Sequence, residues 1–320
     1  MICELLPNGV LHWVAALSRV PPPFRCVEVG KVRCMTAVQT IQVTTHDAHH
    51  FDAALYPAED SSAPVLIFLS ALGTPAKVYR HLGQALSSLG VNVCTPDWRG
   101  IGSSSIRAGR SSDFGYRQLV EMDIAAAIDA VRQRHPDAPI WLGGHSLGGQ
   151  LSLLAAAAQP AAIAGVVLIA SGSVHLPCYQ GKFRWGIRLL ASLSSAAGAL
   201  LGYFPGERIG FGGREAAGVM RDWSHVAHTG RYRPAGSEQD YEALMGLLNM
   251  PVLAISFAAD TWSPALAAKA LLDKVPRCPV THLIWSAVDT GAVALDHYSW
   301  LKRPDLVAPT VAQHLLLPTR

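Results

Sequence analysis

One stretch constrains this chain more than any other: Ile140-Trp141-Leu142-Gly143-Gly144-His145-Ser146-Leu147-Gly148-Gly149, then Gln150-Leu151-Ser152-Leu153-Leu154 and four alanines. The apolar residues Ile140 to Leu142 read as the end of a buried strand, and the Leu/Ala-rich run after Gly149 reads as a helix. Between them lies G-x-S-x-G, formed by Gly144, Ser146 and Gly148. A strand that reverses straight into a helix pinches its turn. A side chain at either flanking position would clash, so glycine is required there. The central serine is then held in strained backbone with its hydroxyl facing a crevice, at a helix end whose free N–H groups favour negative charge. The bland alternative is a glycine-rich turn in which Ser146 merely caps the helix. What lies on either side of the motif decides between them.

Folded structure is expected to begin near Met35. Residues 1–34 read as a poorly ordered extension, because the apolar run Val10 to Val20 is stopped by three prolines. That run lacks the basic lead of a signal peptide and the length of a membrane span. From Val38 an alternating pattern predicts a first strand, paired as a hairpin with a second from Phe51 to Tyr56. Val65-Leu66-Ile67-Phe68-Leu69 is a continuous apolar run typical of a strand buried on both faces. A helix over 78–89, stopped by Gly90, leads to a strand over 91–96, and a helix over 116–135 follows. Further apolar strands are predicted at Gly165–Ala170, Pro251–Phe257 and His282–Trp285. Strands alternating with helices imply an α/β architecture, a mostly parallel central sheet with helices on both faces. The alternation breaks over 174–249, where no strand is evident. A Leu/Ala/Ser-rich stretch (185–204) and an Arg/Trp/His-rich stretch (214–233) suggest an inserted helical cap over a core formed by 35–173 and 250–320. Arg188 and several Ser and Gly residues argue against reading 185–204 as a membrane helix.

A serine hydroxyl is a poor nucleophile near neutral pH and needs a base, which in turn needs an orienting carboxylate. Groups of this kind gather at the carboxyl ends of strands. Asp260 follows the strand over 251–257 and is the natural orienting acid, with Asp289 after the last strand as runner-up. His297 follows the last strand and is the best base. His282 lies inside a strand, His314 near the chain end, and His225 and His228 in the cap. Acyl transfer also needs donors for the developing oxyanion. The residue after the nucleophile offers the backbone N–H of Leu147, and the loop after the Val65–Leu69 strand offers that of Leu72.

These residues together resemble the α/β-hydrolase fold family, in particular serine hydrolases related to monoglyceride lipases and the proline-iminopeptidase-like S33 group. Asp97-Trp98-Arg99-Gly100-Ile101-Gly102-Ser103 is similar to that superfamily's D-x-R-G-x-G-x-S loop. Gly218-Val219-Met220-Arg221-Asp222-Trp223 and His297-Tyr298-Ser299-Trp300 resemble a smaller group of bacterial α/β-hydrolases known from sequence. The resemblance spans about 36–318. It implies hydrolysis of an ester, or less readily a thioester or amide, through an acyl-enzyme on Ser146, with no metal or organic cofactor. An acyltransferase with the same residues, or a non-catalytic protein of the same fold, are the alternatives. One departure stands out: Ser70-Ala71 replaces the usual His-Gly before the oxyanion loop. Asp97 and Arg99 are expected to tie loops together, and Trp223 and Arg221 either to line an acyl pocket or to pack the cap.

Half of the 320 residues are hydrophobic and 15% are charged, which supports a sizeable buried core rather than disorder. A net charge of +3 without a Lys/Arg block gives no reason to expect nucleic acid as a partner. The expected partner is a small-molecule ester or acyl substrate, without stable membrane insertion; oligomeric state is not legible. Six cysteines without a C-x-x-C pair suggest neither a zinc site nor a disulfide framework, and fit a reducing, cytoplasmic compartment.

Overall fold

A computed structural model describes residues 37–317, so the expectation for residues 1–34 lies outside the described residues. Ten strands and nine α-helices alternate along most of that span. They are β1 (Gln39–Thr44), β2 (His50–Tyr56), β3 (Val65–Leu69), α1 (Arg80–Ser88), β4 (Asn92–Pro96), α2 (Tyr116–Gln118), α3 (Ala125–Arg134), β5 (Ile140–His145), α4 (Leu147–Ala158) and β6 (Gly165–Ile169). Then come α5 (Gly181–Leu201), β7 (Tyr203–Pro205), β8 (Arg214–Ala216), α6 (Ala217–Thr229), α7 (Tyr241–Leu247), β9 (Val252–Phe257), α8 (Ala265–Leu272), β10 (Val280–Trp285) and α9 (Pro304–Leu316). Eight strands form one sheet in the order β1-β2-β4-β3-β5-β6-β9-β10. β2 runs antiparallel to both β1 and β4, and every other pair is parallel.

Side-chain alternation explains the layering. On β1, Ile41 and Val43 are buried while Gln42 and Thr44 are exposed, the period-2 signature of a strand wet on one face. β3 is buried throughout. Its Val65, Ile67 and Leu69 join a core with Ile128 and Val131 of α3 and Leu151 and Leu154 of α4. Leu66 and Phe68 point to the other face, among Leu82 and Leu86 of α1 and Val311 of α9. Each such side chain removed from water contributes about 1.5–3 kcal/mol before chain entropy is subtracted, so the sheet sits fixed between two helical layers. That rigidity lets the loops at its carboxyl edge hold side chains in register.

Two elements differ from expectation. The helix predicted over 116–135 is interrupted by a π-helical stretch, Leu119–Ile124. Its Asp123 accepts from the backbone N–H and the guanidinium of Arg99, and Glu121 accepts from Ser237 and Tyr241. A wider helical turn thus carries two acidic side chains to polar partners outside the helix. The stretch 174–249, expected to lack strands, contains the antiparallel ribbon β7–β8 between α5 and α6. Three-residue strands are too short to show a period. No helix among the described residues is long and apolar enough to cross a membrane.

Candidate active site

Ser146 sits between β5 and α4 with φ 54° and ψ −118°, a conformation an L-residue adopts only under constraint. The two motif glycines account for it. A Cβ on Gly144 would lie 2.3 Å from the Gly148 carbonyl carbon, and a Cβ on Gly148 would lie 2.3 Å from the Leu69 carbonyl oxygen. The turn therefore packs backbone against backbone. The Ser146 N–H donates to Ile169 O (3.2 Å), and Ser171 Oγ donates to Ser146 O (2.7 Å).

Three side chains remote in sequence meet there. His297 Nε2 lies 3.0 Å from Ser146 Oγ, and His297 Nδ1 lies 2.8 Å from Asp260 Oδ2. Asp260 is buried; its Oδ1 accepts from the backbone N–H groups of Trp262 and Ser263, both at 2.8 Å. The carboxylate is thereby locked by its own turn, with one oxygen left for the imidazole. Asp289 is not part of this group. It is exposed, and its carboxylate accepts from Ser286 N–H and Oγ in a neighbouring turn. His282 bonds Ser256 Oγ, His314 packs edge-on against Trp141, and His228 bonds Ser224 O, all within their own surroundings.

Leu147 begins α4, so its N–H is one of the helix-end donors without an intrahelical acceptor. The Leu72 N–H likewise makes no hydrogen bond among the described residues, and both residues line the cavity above Ser146. Where His-Gly would stand, Ala71 N–H donates to Tyr79 Oη (2.9 Å), and Tyr79 Oη lies 2.9 Å from His145 Nδ1. Burial holds the His145 imidazole well below its usual range, with His297 nearby acting in the same direction. A neutral ring can accept, so the Tyr79 hydroxyl takes one bond from the loop and gives one to the strand that carries Ser146. The His145 ring also packs 4.8 Å from His297. Neither Tyr79 nor His145 stood out in the sequence, although His145 adjoins Ser146.

The cavity is small, about 40 Å³. Its walls come from α5 (Ile187), the β7–β8 connection (Phe211, Gly212), α6 (Trp223), and Trp262 and Tyr298. Trp223 thus faces the cavity as well as the core. Arg221 does not: it is exposed and lies 3.5 Å from Asp113, away from Ser146. The ribbon also meets the loop at Leu72 directly, since a Cβ on Gly73 (φ +68°) would fall 2.1 Å from Gly213 N. Asp97 accepts from Ala76 N–H (2.8 Å) and from Ser103, joining the loops after β3 and β4. Arg99 pairs with Asp123 and Asp47, so both residues tie segments together rather than touch Ser146. Among the described residues no cluster of His, Cys, Asp or Glu is arranged to hold a metal ion.

This sheet order, with a strained serine at the β5–α4 turn, defines the α/β-hydrolase fold. Within that fold the chain resembles monoglyceride lipase. Residues 60–209 match the family described as serine aminopeptidase, S33. The chain is 37% identical over 105 residues to monoglyceride lipase of Mus musculus and 34% identical over 105 residues to that of Homo sapiens. Each match covers 32% of this chain and 34% of the relative, so it spans about a third of these curated relatives' length. Among solved structures, the DcsB complex with its substrate analogue superposes with a TM-score of 0.62 at 17% identity, over 87% of this chain and 99% of that one. Est1E of Butyrivibrio proteoclasticus with bound ferulic acid superposes with a TM-score of 0.58 at 18% identity, over 86% and 98%.

Proposed function

We propose that this protein is a serine hydrolase that cleaves carboxylic esters through an acyl-enzyme on Ser146. The observation that carries the reading is the chain Ser146 Oγ–His297 Nε2–Asp260, closed by contacts of 3.0 and 2.8 Å. His297 Nε2 takes the hydroxyl proton as Oγ bonds to the ester carbonyl carbon. Asp260 holds the imidazole in the tautomer with Nδ1–H and stabilises the imidazolium that forms. The carbonyl oxygen, now bearing the negative charge, is held by the N–H groups of Leu147 and Leu72. Collapse of the tetrahedral intermediate breaks the C–O bond, and the leaving alkoxide takes the proton from His297. Water then attacks the acyl-enzyme with His297 as base, which releases the acid and restores Ser146.

In this reading residues 174–249 act as a cap over a core of 35–173 and 250–320, and Ile187, Phe211 and Trp223 bring its apolar side onto the acyl group. Cys94, Cys178 and Cys278 are free thiols, which supports a reducing, cytoplasmic setting. Monoglyceride lipase is the named relative with ester chemistry that supports the reading most directly. The test is labelling by a fluorophosphonate probe together with hydrolysis of p-nitrophenyl acetate. The wild-type protein labels at Ser146 and turns the ester over. Ser146→Ala does neither, and labelling that survives this substitution refutes the assignment.

A further inference from the structure

α4 is apolar along its buried length except where Gln150 and Ser152 interrupt it. Ser152 is satisfied by donating to Gly148 O (2.8 Å), the ordinary fate of a helical serine. Gln150 is different. It lies on the first turn of α4, just beyond Ser146, is 2% exposed, and lines the cavity above that serine. Its Nε2 donates to Gly172 O at 2.8 Å. A carbonyl can only accept, so this bond fixes which way the amide faces. That leaves Oε1, which is buried and has no hydrogen-bond partner in the protein. What Gln150 offers a ligand is therefore an acceptor that lacks a donor.

No residue of the wall donates to that oxygen: Val174, Ile187 and Phe211 have apolar side chains, the Tyr179 hydroxyl is committed to Trp262 O at 2.9 Å, and no hydrogen bond from the Tyr298 hydroxyl or from the Trp223 and Trp262 indoles reaches it. A donor must therefore come with the acyl group. The cavity is small, about 40 Å³, so a short acyl group suits it better than a long alkyl chain. An ammonium would also donate, but no Asp or Glu lines the cavity to balance its charge, and an unbalanced buried charge is strongly disfavoured. A neutral hydroxyl fits on all three counts. We infer that the site is selective for esters of short hydroxy acids, whose acyl hydroxyl donates to Gln150 Oε1 while the carbonyl carbon lies over Ser146. This rests on the ester-hydrolase reading and makes Gln150 a specificity-determining residue within it. A site built to bond a substrate hydroxyl discriminates strongly against the analogue that lacks it, because its own polar group is then left unpaired.

The experiment compares kcat/KM for ethyl 3-hydroxybutyrate, ethyl 2-hydroxybutyrate and ethyl butyrate in the wild-type protein and in Gln150→Met. Fluorophosphonate labelling of Ser146 serves as the control for the underlying reading. The wild-type protein favours one of the hydroxy esters over ethyl butyrate by at least 10-fold, and Gln150→Met brings that ratio to within about 2-fold. Inhibition of the wild-type protein by free 3-hydroxybutyrate, 2-hydroxybutyrate and butyrate gives the same comparison without a variant. The better hydroxy acid binds at least 10-fold more tightly than butyrate. Normal labelling with wild-type ratios near one, with no cleavage of any of the three esters, or with a ratio unchanged in Gln150→Met overturns the Gln150 proposal alone. Absence of labelling at Ser146 overturns the hydrolase reading and this proposal with it.

Discussion

Replacing Tyr79 by Phe removes one oxygen and breaks two buried contacts at once, the bond from Ala71 N–H and the bond to His145 Nδ1, each 2.9 Å long. Ala71 is 1% exposed, and Tyr79 and His145 are fully buried, so water cannot easily replace either partner. A buried polar group left unpaired costs about 1–3 kcal/mol, so the two together should lower stability by at least about 2 kcal/mol. The chemical consequence is separate. Ala71 immediately precedes Leu72, the proposed oxyanion donor, and loss of one such donor typically lowers kcat by about 10²–10³. Tyr79→Phe loosens that donor without deleting it, so the expected fall in kcat is about 10- to 100-fold, with KM within about 3-fold. Stability is read from urea unfolding followed by tryptophan fluorescence, and kcat and KM from p-nitrophenyl acetate hydrolysis. A stability loss under about 0.5 kcal/mol together with kcat within 2-fold of wild type would refute the assignment of Tyr79 as the link between loop and strand.

Three further outcomes follow from the geometry. Asp260→Asn keeps the turn but no longer holds the Nδ1–H tautomer of His297; kcat for p-nitrophenyl acetate should fall by about 10⁴ while the unfolding midpoint changes little. Gly148→Ala drives a methyl into the Leu69 carbonyl and should cost more than about 4 kcal/mol, seen as loss of a cooperative melting transition in the soluble fraction. Glu215, on β8, is pushed up to about 7 from an ordinary 4.5 by burial, against the lowering effect of the Gly213 N–H it accepts. Below pH 4.5 both folded and unfolded chains carry the proton and there is no penalty. Between 4.5 and 7 only the folded chain keeps it, so stability declines as pH rises and levels off above 7, a total of about 3 kcal/mol. Glu215→Gln removes this slope. The difference between variant and wild type in urea unfolding at pH 5 and pH 8 measures it, and equal differences at the two pH values would contradict it.

The inner strands of the sheet were legible because they are buried on both faces. Val65–Leu69 is apolar throughout and Val252–Phe257 is interrupted only by Ser256, so neither run could be mistaken for a helical period. The serine turn was legible because close backbone contact leaves glycine as the sole option on either side. Asp260 and His297 could be named from their places after strand ends, and the structure brings their side chains to Ser146. Tyr79 was not legible, since its role depends on a bond to His145, 66 positions away, which no local pattern encodes. Gln150 did carry a signal that went unread: a polar side chain inside an otherwise apolar helix requires a partner. Arg221 and Trp223 are two positions apart on α6, and helical geometry sends them to different faces. Of the two alternatives, pocket lining or cap packing, Trp223 does both, being buried in the core and lining the cavity, whereas Arg221 is exposed beside Asp113.

Gly73 and Gly213 leave no gap between them, and that has a bearing on how the molecule can be re-engineered. The tip of the β7–β8 ribbon and the turn after β3 form a single mechanical piece, although some 140 positions separate them in the chain. Grafting a foreign insert between β6 and β9 would therefore need residues 71–75 to travel with it, because a bulkier tip would shift the backbone that presents Leu72. The seam along which such chimeras can be cut lies beneath that contact.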